Sequence, residues 1–133
     1  MEIVVCLDEN NGMLFNNRRQ SRDKEVIADI IKAAEDKRIL IHPFSEPLFQ
    51  SFNGVLFDED FLNNAKEYDV CFVENRHLKE FVPKISKVTV YNWNRIYPAD
   101  FYCDLNFSEF TLRSENDICG NSHEKITKKV YIR

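Results

Sequence analysis

Apolar positions fall into short blocks separated by polar, turn-forming clusters, and the period of each block names an element. Glu2 to Leu7 (EIVVCL) is a β-branched run closed by DENNG, which predicts a buried strand followed by a turn. From Asp23 to Ala34, the residues Val26, Ile27, Ile30, Ile31 and Ala34 trace one helical stripe. Ser21 is expected to cap this helix, and Asp23 and Glu25 suit the positive end of its dipole. Arg38 to His42 (RILIH) predicts a short buried strand. Pro43 and Pro47 then bracket a turn into a short helix near Glu46–Phe52, and Gly54–Leu56 is a small strand. Asp58 is placed to cap a helix over Glu59–Ala65. Asp69 to Val73 (DVCFV) predicts a second buried strand, with Asn75 capping a helix that runs to Phe81 and stops at Pro83. Lys87 to Trp93 alternates as a strand does. Phe110–Arg113 and Ile126–Ile132 are closing strands around a Gly120-Asn121 turn. Strands alternating with helices, then strands alone, predict an α/β fold. Its expected form is a twisted, mostly parallel sheet flanked by helices, with an antiparallel C-terminal hairpin, as a single domain over residues 1–133.

Composition narrows the picture. A hydrophobic share of 44% with eleven Phe, five Tyr and one Trp supplies a core for a chain of 133 residues, so disorder is not expected. The net charge of −4 speaks against a general nucleic-acid or membrane binder, so any affinity for phosphate must be local. Cys6, Cys71, Cys103 and Cys119 stand alone, without a CxxC pair, and His42, His77 and His123 are scattered, so no metal site is expected. Cys6 and Cys71 lie in apolar runs and read as buried thiols. The first ten residues lack a basic stretch and turn polar at Asp8, so no signal peptide or membrane span is expected, and a reducing cytoplasm is the simplest location.

Candidate chemistry concentrates in GMLFNNRRQSRD, Gly12 to Asp23. This stretch reads as a loop with three arginines, three side-chain amides and one carboxylate. Arginine forks bind carboxylate or phosphate, amides read hydrogen-bond patterns, and a helix N-terminus follows. Asn16, Arg18, Arg19, Gln20, Arg22 and Asp23 are therefore candidate ligand-binding residues. The alternative is that Arg18, Arg19 and Arg22 pair with surface carboxylates such as Asp8, Glu9 and Glu25. Asp23, Ile27, Ile30 and Ala34 follow i, i+4, i+7, i+11, which sets the carboxylate on the apolar stripe, where it needs a donor. Its alternative is an exposed first-turn acid that only favours the dipole. In Asn121-Ser122-His123-Glu124-Lys125, His123 and Glu124 are an acid-base pair by type, but neighbours on a strand point to opposite faces, so the cluster reads as a turn entering a strand.

The chain resembles the dihydrofolate reductase family in a shortened, altered form. ISKVTVYNWNRIYPADFYCDL and FSEFTLRSENDICGNSHEKITKKVYIR are similar to its late strand and closing hairpin, and IVVCLDENNGM to its first strand and following glycine loop. The resemblance implies that Asp23, one residue nearer to Gly12 than the family spacing, anchors a pterin-like ring, and is catalytic if the chain is an enzyme. It also implies that Tyr91 passes near enough to hydrogen-bond that carboxylate. The family's NADPH-holding parts are altered. Where it has a Gly-Arg pair and a helix-starting Thr or Ser, this chain reads His42-Pro43-Phe44-Ser45. Where it has Gly-Gly, this chain reads Glu74-Asn75, taken here as a solvated, helix-capping loop. A cis peptide there would cost roughly 3–4 kcal/mol. A carboxylate about 4 Å from a pyrophosphate charge is repelled by roughly 4 kcal/mol at an effective dielectric near 20. The segment from Phe49 to Asp69 is also short for an adenosine subsite.

The function expected first is a divergent binder of a small anionic or pterin-like ligand, with an eroded NADPH site and no cofactor. One alternative is an active NADPH-dependent dihydrofolate or pterin reductase. Another is RNA binding or processing through Arg18, Arg19, Arg22 and Arg95, although the isolated histidines do not make the HxHxDH-like cluster of a tRNA-trimming ribonuclease.

Overall fold

The computed structural model describes all residues, Met1–Arg133. The strand β1 (Glu2–Leu7) forms the middle of a seven-stranded sheet because its side chains are apolar on both faces. Ile3, Val5 and Leu7 point into one core; Val4 and Cys6 point into the other. The remaining elements are β2 (Gly12–Phe15), β3 (Arg18–Arg19), α1 (Lys24–Ala34), β4 (Ile39–Ile41), β5 (Val55–Phe57), α2 (Phe61–Asn64), β6 (Val70–Phe72), β7 (Lys87–Asn92), β8 (Phe101–Tyr102), β9 (Thr111–Ile118) and β10 (Ile126–Ile132). Three 3-10 helices lie over Pro43–Phe49, Lys79–Lys84 and Phe107–Glu109. The large sheet runs β5-β4-β6-β1-β7-β10-β9. Its first five strands are parallel, β10 is antiparallel to β7, and β9 is antiparallel to β10.

The helix α1 packs Val26, Ile30 and Ala34 against Val4, Phe72 and Tyr91. Burying Val26 and Ile30 stabilises by about 1.5–3 kcal/mol each. Ile27 and Ile31, from the same predicted stripe, stay half-buried because they wall a cavity. The first core contains Ile3, Val5 and Leu7 with Phe61, Leu78, Val88 and Val90.

Several expectations change. Asp23, not Ser21, caps α1, accepting from the N–H groups of Glu25 and Val26 at 2.9 and 3.3 Å. Asn75 caps nothing. The helical turn begins later, and Asp104 Oδ1 accepts from the Leu78 and Lys79 N–H groups at 2.6 and 3.1 Å instead. Pro83 lies inside that 3-10 helix, where no i−4 hydrogen bond is at stake. The strand expected at Gly54–Leu56 starts one residue later, and the helix expected over Glu59–Ala65 shrinks to four residues. The stretch read as a loop is a β-hairpin, with Leu14 opposite Arg19 and Phe15 opposite Arg18. Its turn is Asn16-Asn17, with φ of 51° and 60°, the two left-handed residues that a type I′ turn requires. With β8 it forms a second, three-stranded antiparallel sheet.

Candidate functional site

In an open α/β sheet, side chains that meet a ligand gather beyond the carboxyl ends of the parallel strands. Here those ends deliver Asp8 after β1, His42 after β4, Glu74 after β6 and Trp93 after β7. Asp8 is fully buried and saturated by neutral donors. Its Oδ1 accepts from the N–H groups of Asn10 (2.8 Å) and Gly12 (2.7 Å), and its Oδ2 from Gln20 Nε2 (2.9 Å) and the Tyr97 N–H (3.2 Å). Gly12 is required by this close approach, since a Cβ there would lie 2.8 Å from both Asp8 Oδ2 and Ala99 Cβ.

Asp23 faces inward and is 3% exposed. One oxygen caps the helix; the other accepts from the N–H and the hydroxyl of Ser122, both at 2.7 Å. Burial by itself would raise this carboxyl, but the Ser122 donors, with the Asn121 and Glu25 N–H groups, outweigh it and hold the pKa at about 2. Ser122 sits in the β9–β10 hairpin tip, 99 residues further along the chain. That tip comes so close that a Cβ on Gly120 would collide with the Asp23 carboxylate.

Beyond Ser122 the hydrogen bonds continue. Its Oγ lies 2.7 Å from His123 Nδ1, and His123 Nε2 lies 2.5 Å from the Tyr97 hydroxyl. His123 is 7% exposed and stacked on Trp93 at a centroid distance of 4.9 Å. Burial pushes its pKa below the ordinary histidine value and Arg95 adds to this, while Asp23 opposes. A neutral ring donating from Nδ1 and accepting at Nε2 lets Tyr97, His123 and Ser122 each donate one step towards Asp23.

The other expected site residues do not converge. Arg18 and Asn16 are exposed, and the Asn16 backbone N–H donates to Asp100. Arg19 makes a fork with Glu74 at 2.9 and 3.0 Å. Gln20 donates to Asp8, and its Oε1 is buried without a donor. Arg22 donates to the Pro47 carbonyl at 3.1 Å. None of the three arginines pairs with Asp8, Glu9 or Glu25. Tyr91 does not reach Asp23; its hydroxyl donates to Asp29 at 2.6 Å, where Lys128 Nζ also donates at 2.7 Å. Glu74 is not in a solvated loop but 9% exposed, accepting from Arg19 and from Ser45 Oγ at 2.7 Å.

Of the expected residues, only Arg22 and Asp23 meet at a cavity. It has a volume of about 510 Å³ and lies between α1 and the Pro43–Phe49 helix, beside the hairpin tip. Ile27, Ala28, Ile31 and Leu48 form an aliphatic wall; Arg22, Lys24, Ser51 and Asn121 form a polar rim. Asn121 Oδ1 accepts from the Lys24 N–H at 2.6 Å, so the tip is tied to the first turn of α1 at two points. Leu48 and Ser51 have no signal in the sequence as site residues, and the cluster holding Asn121 and Ser122 reads there as a turn, because each joins the site only through the packing of elements remote from α1.

No protein-family model matches the chain, and no curated protein matches it in sequence. Solved structures do match. Dihydrofolate reductase from Enterococcus faecalis, solved in complex with NADP(H) and RAB-propyl, is similar with a TM-score of 0.71 and 10% identity, over 99% of this chain and 95% of that chain. At that identity the likeness concerns architecture: the chain has the dihydrofolate reductase fold.

Proposed function

We propose that the protein binds a small amphipathic anion in the cavity beside α1 and works without a nicotinamide cofactor. The observation that carries the reading is the pairing of Arg22 and Lys24 with an aliphatic wall around about 510 Å³. Two cations favour an acidic group at the rim, while Ile27, Ile31 and Leu48 favour an apolar or aromatic body behind it. Asp23 helps to shape the site rather than to grip a ligand, since both its oxygens are already engaged.

The second half of the proposal rests on the segments that the family resemblance assigns to NADPH. They close on one another: Ser45 Oγ donates to Glu74, Arg19 forks onto Glu74, and Asn75 Nδ2 lies 3.4 Å from His42 Nδ1. A buried carboxylate at the centre of this contact repels a pyrophosphate, and Arg19, the nearby cation, is already committed to it. These residues do not fit a dinucleotide.

Thermal-shift and calorimetric titration with dihydrofolate, pterin-6-carboxylate, aromatic carboxylates and phosphorylated metabolites tests the reading. A saturable shift with at least one anionic aromatic probe is expected, weakened about tenfold or more in Arg22→Ala/Lys24→Ala, as loss of a charged contact predicts. A flat response to every probe, or binding indifferent to that double variant, sinks it. So does NADPH oxidation dependent on dihydrofolate and abolished by Asp23→Asn.

A further inference from the structure

Glu74 stands at the carboxyl end of β6 with three donors on its two oxygens: Ser45 Oγ at 2.7 Å, Arg19 Nε at 2.9 Å and Arg19 Nη2 at 3.0 Å. The same Nη2 donates to the Phe44 carbonyl at 2.9 Å, and the guanidinium carbon lies 4.8 Å from the centre of the Phe44 ring. A carboxylate presenting two oxygens, a carbonyl in the same reach and an aromatic face together make the set of groups that recognises a planar delocalised cation.

The receptor half and the occupant have different structural origins. Phe44, Ser45 and Glu74 follow β4 and β6, neighbouring strands of the large sheet. Arg19 ends β3, an edge strand of the small sheet, and its side chain remains 21% exposed. Ser45 is fully buried and holds Glu74 by its own hydroxyl, so the carboxylate keeps one fixed partner when the arginine leaves. Beside it, Asn75 Oδ1 is buried with no donor.

We propose that Glu74, Ser45 and Phe44 form a binding site for a guanidinium-type cation and that Arg19 is its intramolecular occupant. The β2–β3 hairpin is then a tethered ligand, displaced when a free guanidinium compound outcompetes it. The ordered hairpin holds Arg19 beside Glu74, so a free competitor must be supplied in large excess. The site is separate from the cavity beside α1, and the inference does not rest on the anion-binding reading.

Chemical rescue tests it, with ethylguanidinium as the probe. Arg19→Ala should lose thermal stability, and ethylguanidinium should restore a large part of the lost Tm in a saturable manner. Ethylammonium, which lacks the fork, should restore much less, and Arg19→Ala/Glu74→Gln should show only the monotonic fall expected of a mild denaturant. Failure of rescue, or rescue that survives in the double variant, overturns the proposal. The wild-type chain gives a readout that needs no variant. The Arg19 Nε–H resonance, sheltered by Glu74, should shift progressively as ethylguanidinium rises to about 100 mM. A resonance indifferent to that titration overturns displacement by a free cation.

Discussion

Asp23 serves two elements through one carboxylate: Oδ1 ends the orphan N–H groups of α1 and Oδ2 holds the hairpin tip through Ser122. Replacing it with Ala removes the cap, about 1–2 kcal/mol, and strands the Ser122 donors, about a further 1 kcal/mol. Chemical denaturation of Asp23→Ala should therefore show a loss of about 2–3 kcal/mol, whereas an effect no larger than an ordinary exposed cap would mean that the Ser122 bonds contribute nothing. The pH dependence has a definite sign. Because folding lowers the Asp23 pKa from 3.8 to about 2, its stabilising contribution is complete above about 4 and lost as pH falls towards 2. His123 also has a lowered folded pKa, so the unfolded chain takes up its proton first and stability begins to fall below the ordinary value of 6.5. A plot of stability against pH should thus show two descents. His42, whose pKa burial also lowers, shares the upper descent, so His123→Gln should shrink it and leave the lower one, and an unchanged upper descent would show that His123 does not contribute.

Elements are joined here by side chains at their ends. The hairpin tip between β9 and β10 meets α1 at Lys24 and Asp23, while the β2–β3 hairpin meets the strand ends at Glu74. The second joint depends on a tight turn, whereas the first spans the seven residues between Ile118 and Ile126. In the β2–β3 hairpin, Asn16 and Asn17 adopt left-handed backbone, which costs most other residues roughly 1–2 kcal/mol each. Asn16→Ala/Asn17→Ala should destabilise by about 1–3 kcal/mol in urea melts, while Asn17→Gly should be neutral or better. Equal tolerance of both variants would mean that the turn does not set the hairpin. The Asn-Asn pair between two short strands was a readable hairpin signal. The polarity of its flanks hid it, because Arg18 and Arg19 suggest solvent and only the partner strand β8 and Glu74 show otherwise.

At the scale of the molecule, two cores cover the two faces of one sheet, and no helix is long and apolar enough to cross a membrane. The sheet sequesters most of the thiols. Burial pushes Cys71 up to about 12 and Cys103 to about 11; Cys6, expected to be buried, is half-buried, yet its thiol is raised further, whereas Cys119 in the hairpin tip is exposed. Brief alkylation of the native chain at mildly alkaline pH should give one adduct, on Cys119, and unfolding should release all four. Rapid native labelling of Cys71 or Cys103 would contradict this packing.

Local pattern determined β1, α1, β4, β6 and β7, because a β-branched run or a helical stripe carries its own period and needs no partner to be read. The pattern left Asp23 open between an inward and an exposed carboxylate; as the N-cap its backbone is extended and lies outside the helix, and the Ser122 and helix N–H donors decide its inward position. Tertiary structure decided what each polar group meets. Ser122 reaches Asp23 across 99 positions and Arg19 reaches Glu74 across 55, while Tyr91 reaches Asp29 instead of the carboxylate expected for it. A charged or hydroxyl side chain has no period that names its partner. Its pairing depends on which strand ends the sheet order brings together and on the need of a buried charge for a donor.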